Sequence, residues 1–408
     1  MRLNRNIDFG YCTNVHRGET WEETFASLEN YTLAVKERVC PQGPYGIGLR
    51  LSEVAARELS DPGRILEFQR WLDRNHCYVF TINGFPYGKF HGTRVKEQVY
   101  APDWTSSARL DYTNLLFDIL SRLLPEGRQG SVSTLPGSFK EFLGVDGSGA
   151  GEGVSFDEFI DSDDPRLEAL CRCLQLCSRH IAELRESTGQ DLHLGLEPEP
   201  LGLFETSSET VRFFERLRAG ADDGGVLLET VGVNYDTCHL ALEFEEPAEA
   251  LGRLRDAGLR ISKLHLSSAL RLEPSPEALE LLRGFEEDTY LHQVVVRDAG
   301  GAIRRWRDLT EALDAASAEP PRGGEQWRVH FHVPLHAAPQ QGFGDTRDHI
   351  DGLLEELKKR PPLCTHLEME TYTWEVLPEN LRSDSVVDQI VREYEWMLGK
   401  LADCGLYE

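Results

Sequence analysis

The sequence is short of positive charge. Its 408 residues hold 43 Lys and Arg against 69 Asp and Glu, a formal net charge of −26. The cations gather in no basic patch, and a surface of this sign repels a phosphate backbone, so nucleic acid is not an expected partner. No CxxC pair occurs among the nine cysteines, and Cys171, Cys173 and Cys177 fall within one helical segment. Reduced thiols in a cytoplasmic protein are the expectation. There is no run of 18 apolar residues, which argues against membrane insertion. "MRLNRNIDFGYC" has no apolar core of signal-peptide length. Internal repeats and long low-complexity tracts are also missing. "GYCTNVHRGET", after the first strand, is not the Gly-rich fingerprint of a dinucleotide-binding open sheet. A small molecule or another protein remains as the expected partner.

What is present is an alternation of strands and helices, in a chain of ordinary soluble composition with 40% hydrophobic residues. Strands are expected at 6–13, 45–52, 77–84, 130–137, 192–199, 231–238, 261–268 and 366–373. Helical patterns lie between them, among them "WEETFASLENYTLAVKERV", "DYTNLLFDILSRLL", "HIDGLLEELKKR" and "SVVDQIVREYEWMLGKLA". Eight strands each followed by a helix predict an α/β protein, a (β/α)₈ TIM barrel spanning residues 1–408 as a single domain. Residues 85–108 and 138–163 read as long loops. An elaborated insertion is expected at about 269–345, with a helix near "WRDLTEALDAA" and an extra strand, "WRVHFHVPLH". Loops that follow barrel strands build the catalytic face.

Period-two alternation turns the polar strand residues inward. "LHLGLE" sets Leu192, Leu194 and Leu196 against His193, Gly195 and Glu197, and "VGVNYD" leaves Asn234 and Asp236 opposite Val233 and Tyr235. "ISKLHL" puts Lys263 and His265 on one face, "RVHFHV" Arg328, His330 and His332, and "HLEMET" His366, Glu368 and Glu370. Several carboxylates converging on a barrel axis repel one another and carry desolvation costs, both relieved by a divalent cation. Glu197, Asp236, His265 and Glu370 offer three oxygen donors and one nitrogen donor, suited to Mn²⁺, Zn²⁺, Mg²⁺ or Co²⁺. Each has a plainer alternative. Glu197 or Glu370 fits an internal salt bridge, Asp236 a helix cap with Thr237, and His265 a hydrogen-bonded core histidine.

At these residues the sequence resembles the xylose isomerase-like barrel superfamily, which includes sugar isomerases, sugar epimerases and apurinic endonucleases. "GLEPEP" resembles its strand-five motif and implies Glu197 as a bridging metal ligand. "VNYDTCH" resembles "DTxH", implying Asp236 as a ligand and His239 as a ligand to a second metal or to substrate. "KLHLSS" implies His265, and "LEMETYTW" implies Glu370. In the epimerase branch the two glutamates also shuttle the substrate proton, which makes Glu197 and Glu370 the catalytic candidates, with Glu199 and Glu368 in reserve. His330 and His332 occupy a place comparable to the endonucleases' D-x-H pair and would join His239 on a second ion. Strand four ends "TLPGS" where that branch has a histidine, so its full three-metal cluster is not implied.

More narrowly, "GYCTNVHRGETW", "TINGFPYGKFHG", "STLPGSFK" and "RVHFHVPLH" resemble the EboE family of metabolite-traffic proteins. That resemblance implies a small-molecule pathway and association with a pathway membrane protein. His16, Asn83, His91, Tyr372 and Trp374 are the candidate substrate contacts, and Lys263 and Arg328 are candidate anion anchors or partners of inward acids. The expected function is a metal-dependent isomerase or epimerase on a sugar-like, cyclitol-like or keto-acid metabolite. One ion is expected and a second is possible. A phosphoester hydrolase with two or three metals, and a non-catalytic metabolite carrier, are the alternatives.

Overall fold

Chain order and hydrogen bonding together close the barrel. The structure, a computed structural model, describes residues 1–147, 153–337, 342–359, 363–379 and 381–407. Residues 148–152 of the expected loop, 338–341 of the insertion and Arg360 of "HIDGLLEELKKR" lie outside the described residues. Seven strands come first: β1 (Asp8–Tyr11), β2 (Tyr45–Arg50), β3 (Cys77–Asn83), β4 (Gln129–Thr134), β5 (Asp191–Leu196), β6 (Val231–Asp236) and β7 (Ile261–Leu266). The insertion then contributes β8 (Leu270–Leu272), β9 (Val294–Arg297), β10 (Ile303–Trp306), β11 (Gln326–Val329) and β12 (Gly344–Asp345), and β13 (His366–Met369) returns to the barrel. The parallel sheet runs β1-β13-β7-β6-β5-β4-β3-β2. Its two ends meet where Cys12 bridges Gly48 and where the Arg50 amide donates to Thr13 Oγ1 at 2.8 Å. The fold is a (β/α)₈ barrel, and each of the eight expected strands is in it.

The apolar set of each strand faces the surrounding helices. Leu192, Leu194, Leu196, Val231, Val233, Leu264 and Leu266 are buried in one continuous core, each such side chain contributing roughly 1.5–3 kcal/mol. Tyr235 reaches outward to the helix Arg347–Lys359, its hydroxyl 2.8 Å from His349 Nε2. Helix starts follow local chemistry. Thr20 and Glu23 form a capping box at Trp21, and Thr206 and Glu209 form another at Ser207.

The inward set stacks in polar layers. Deep in the barrel, Ser131 Oγ donates to Thr81 Oγ1 at 2.7 Å and meets His366 Nδ1 at 2.8 Å. Above it Lys263 Nζ donates to Glu368 Oε2 at 2.7 Å, both side chains fully buried. Glu368 fits only because residue 48 is glycine: a Cβ there would lie 1.6 Å from Glu368 Oε1. Gly48→Ala is therefore expected to destabilise the barrel by about 1–3 kcal/mol through overpacking, read as a lowered midpoint of thermal unfolding.

The insertion holds more order than the sequence implied. Its strands form an antiparallel sheet, β10-β9-β11-β8-β12, with a separate apolar core built from residues such as Leu282, Val294, Trp327 and Phe331. Each strand is too short for periodicity to mark it reliably. The strand expected over "WRVHFHVPLH" stops pairing at Val329, and the extended chain beyond is held by His330 N donating to Gln293 O at 2.8 Å. The expected loops also carry short helical turns, Lys96–Tyr100 in one, and Lys140–Leu143 and Phe156–Ile160 in the other. Among the described residues no helix is long and apolar enough to cross a membrane.

Candidate metal centre

The C-terminal ends of β5, β6, β7 and β13 deliver Glu197, Asp236, His265 and Glu370 to one point, with a ligand atom of each within 4.8 Å of the others. All four side chains are buried. His265 Nδ1 lies 2.8 Å from Glu197 Oε1, 3.3 Å from Glu370 Oε2 and 3.7 Å from Asp236 Oδ2. Its Nε2 lies 2.7 Å from Glu368 Oε2. A carboxylate on the far nitrogen fixes the ring's orientation and leaves Nδ1 as the donor, the arrangement that supports metal-bound histidines.

Asp236 does two things at once. Its Oδ1 caps the helix Thr237–Leu242, accepting from Cys238 N at 2.7 Å and His239 N at 3.1 Å, and it also accepts from Ser267 Oγ at 2.6 Å. The cap reading is thus correct for one oxygen. The other, Oδ2, is buried and has no hydrogen-bond partner. A buried, unpaired carboxylate oxygen facing a histidine nitrogen and two more carboxylates is the donor geometry of a cation site. Desolvation pushes Glu370 up to about 8, with His265 pulling it down and Glu197 and Asp236 pushing it further up. Burial opposes ionisation of Glu368 as well, but Lys263 and His265 hold it at about 2.

A second cluster adjoins the first. His239 stands on the capped helix, while His330 and His332 follow β11. His330 Nε2 lies between the other two, 3.1 Å from His239 Nε2 and 3.2 Å from His332 Nε2, and ligand atoms come within 4.8 Å of one another in the sets Glu199, His239, His330 and Asp236, His239, His332. Each Nδ1 faces an oxygen that only accepts: Pro198 O at 3.2 Å for His239, Gln293 Oε1 at 2.7 Å for His330, and Glu370 O at 2.9 Å for His332. Those acceptors place each ring's proton on Nδ1. Burial, and then the neighbouring histidines, hold His330 well below its ordinary value, and burial takes His332 to about 4. Bare lone pairs therefore point at one another across about 3 Å, a repulsive arrangement that a bound cation would convert into ligation. Glu199 lies beside His239 and His330 with Oε1 buried and unpaired. The donor sets of both clusters fit a divalent ion.

The remaining candidates divide. Asn83 donates to Glu370 Oε1 at 3.1 Å and lines the cavity above the cluster, as does Tyr372, whose ring packs 4.7 Å from His332. Lys263 is committed to Glu368, the acid-neutralising role. Arg328 shares the face of His330 but sits two residues back, where its guanidinium lies over Phe244 at 3.9 Å and donates to Ala241 O. His16 is held by Tyr11 OH at 2.8 Å and stacked on Tyr31, away from the cavity lining. His91 bridges Asn14 O and Tyr290 OH, at 2.6 Å each, so it supports residues that line the cavity. Trp374 packs between the two apolar cores.

Sequence reasoning missed Asn14, which donates to Glu370 Oε1 at 2.7 Å, and Gln293, which fixes His330. Asn14 lies past the end of β1, in the 3₁₀ turn Thr13–Val15, where the period-two rule does not reach and only its nearness to a strand end could have marked it. Gln293 had no such signal.

No family model and no curated protein matches the chain. Solved structures do. A D-tagatose 3-epimerase-like protein aligns with a TM-score of 0.50 at 11% identity, over 98% of each chain. An L-ribulose 3-epimerase gives 0.48 at 12%, over 99% of this chain and 96% of that one. A xylose isomerase domain protein from Planctomyces limnophilus gives 0.47 at 16%, over 91% and 93%. At these identities the likeness is one of fold: the neighbours are xylose isomerase-like (β/α)₈ barrels.

Proposed function

We propose that this chain is a metal-dependent isomerase or epimerase acting on an α-hydroxy carbonyl group of a sugar-like, cyclitol-like or keto-acid metabolite. The observation that carries this reading is the division of labour within the four-donor cluster. Glu197 and Glu370 line the cavity, whereas Asp236 and His265 sit behind them. Glu197, Asp236, His265 and Glu370 would hold a divalent ion, which would supply Lewis-acid polarisation of the substrate carbonyl. Glu197 and Glu370 then stand where a carbon-bound proton is taken up and returned. Asn14 and Asn83, both donating to Glu370 Oε1, fix the orientation of that carboxylate. The name of the epimerase-like neighbour accords with this chemistry.

The close Nε2 atoms of His239 and His330, with Glu199 beside them, support a second reading, a two-metal hydrolase. A role in the biosynthesis or export of a small molecule, with a membrane protein as partner, belongs to the same proposal through the EboE resemblance. The test combines metal counting with isotope exchange. Protein loaded with Mn²⁺ is expected to exchange the α-protons of a hydroxy ketone into D₂O, to stop when chelated, and to lose at least about a hundredfold in rate as Glu197→Gln or Glu370→Gln. Two ions per chain with phosphodiester hydrolysis and no exchange would establish the hydrolase instead. Neither activity, with function surviving these substitutions, would leave a carrier.

A further inference from the structure

The cavity above the cluster has a polar floor and an apolar wall. The wall comes from two loops: Phe85, Phe90, Val95 and Val99 after β3, and Tyr290 and Leu291 from the insertion. Phe90 packs against Tyr290 at 5.2 Å and Tyr372 at 5.4 Å, presenting ring surfaces to the space. Most polar groups at its edge are already engaged, the exceptions among the described residues being Asn14 Oδ1 and Glu199 Oε1. Asn14 and Asn83 serve Glu370, Gln293 spans His330 and Pro200 O, and the Tyr290 hydroxyl is taken by His91.

Cationic groups are committed too. Among the described residues lining the cavity, the one cation is Lys96, whose Nζ donates to Asp308 Oδ2 at 2.6 Å and Glu287 O at 2.9 Å. Three carboxylates, Glu197, Glu199 and Glu370, share the floor. Away from the ion proposed at Glu197 and Glu370, a phosphate group entering this space would meet Glu199 and no free side-chain cation among the described lining residues. A polyol would find acceptors only along the floor, at Asn14 Oδ1 and the carboxylates, and against the apolar wall its remaining hydroxyls would lose water with nothing to replace it.

We infer that the substrate is an uncharged α-hydroxy ketone whose body, beyond the reacting pair of oxygens, is apolar: an aryl- or alkyl-bearing compound in place of a free sugar or sugar phosphate. This rests on the isomerase reading for where the reacting oxygens lie, and on the wall for the rest. It is tested by titration calorimetry on the Mn²⁺-loaded protein with benzyl hydroxymethyl ketone, fructose and a fructose phosphate. The aryl ketone is expected to bind at least about tenfold more tightly than either sugar, the scale on which apolar pockets discriminate, and Phe90→Ala is expected to shrink that preference. Equal or tighter binding of fructose or its phosphate overturns the inference, as does failure of the aryl ketone to bind. Proton exchange into D₂O, followed on the same samples, separates the two readings. The binding order without exchange removes the isomerase and keeps the ligand class, whereas exchange that favours fructose does the reverse.

Discussion

Asp236→Asn is expected to abolish metal binding at the four-donor cluster while leaving the fold nearly as stable as before. The amide keeps an oxygen in the Oδ1 position, so Cys238 N and His239 N retain their acceptor, and Asn caps helices about as well as Asp. What disappears is the negative charge at Oδ2, the buried oxygen with no partner. Loss of affinity should exceed the roughly 10–100-fold that follows from disturbing a supporting residue alone. Asp236→Ala removes both functions and should in addition cost about 1 kcal/mol of stability through the lost cap. Metal content by mass spectrometry, paired with thermal unfolding of both variants, reads the two roles separately. A metal-free Asp236→Ala with full affinity retained by Asp236→Asn would remove Asp236 from the ligand set.

The second large effect lies below the site. Lys263→Met leaves the fully buried Glu368 carboxyl without its cation and with His265 Nε2 as its remaining hydrogen-bond partner among the described residues. Removing one member of a buried pair costs about 3–5 kcal/mol. The expected result is a correspondingly earlier midpoint in urea, with activity reduced as well, since Glu368 sets the orientation of His265. Replacing both residues by methionine should recover much of the stability and none of the orientation. Such a split between stability and metal affinity distinguishes the pair's two roles.

Much of this site was legible because barrel strands enforce a rule that a single sequence displays. A buried strand with leucine or valine at every second position must put its other set on the axis, and His193, Glu197, Lys263, His265, Glu368 and Glu370 follow from that alone. The rule ends where pairing ends. Arg328, His330 and His332 do share a face, but β11 belongs to the antiparallel sheet of the insertion, and its direction carries Arg328 past the mouth to Phe244. His16 and His91 lie in loops, where no periodicity reports orientation, and both point at tyrosines. The insertion's sheet was hidden for a related reason. Its strands are two to four residues long, and apart from the β9–β10 hairpin they pair across long separations that no local pattern encodes.

Those separations also give the histidine cluster a mechanical meaning. His239 and His330 meet across 91 residues of chain, one on the barrel and the other on the insertion. An ion shared between them would act as a reversible cross-link, stabilising the folded arrangement by its free energy of binding to it. Metal supply would then set more than catalytic competence: it would govern whether the cavity's wall and floor, which come from these two parts of the molecule, are held together as one chamber.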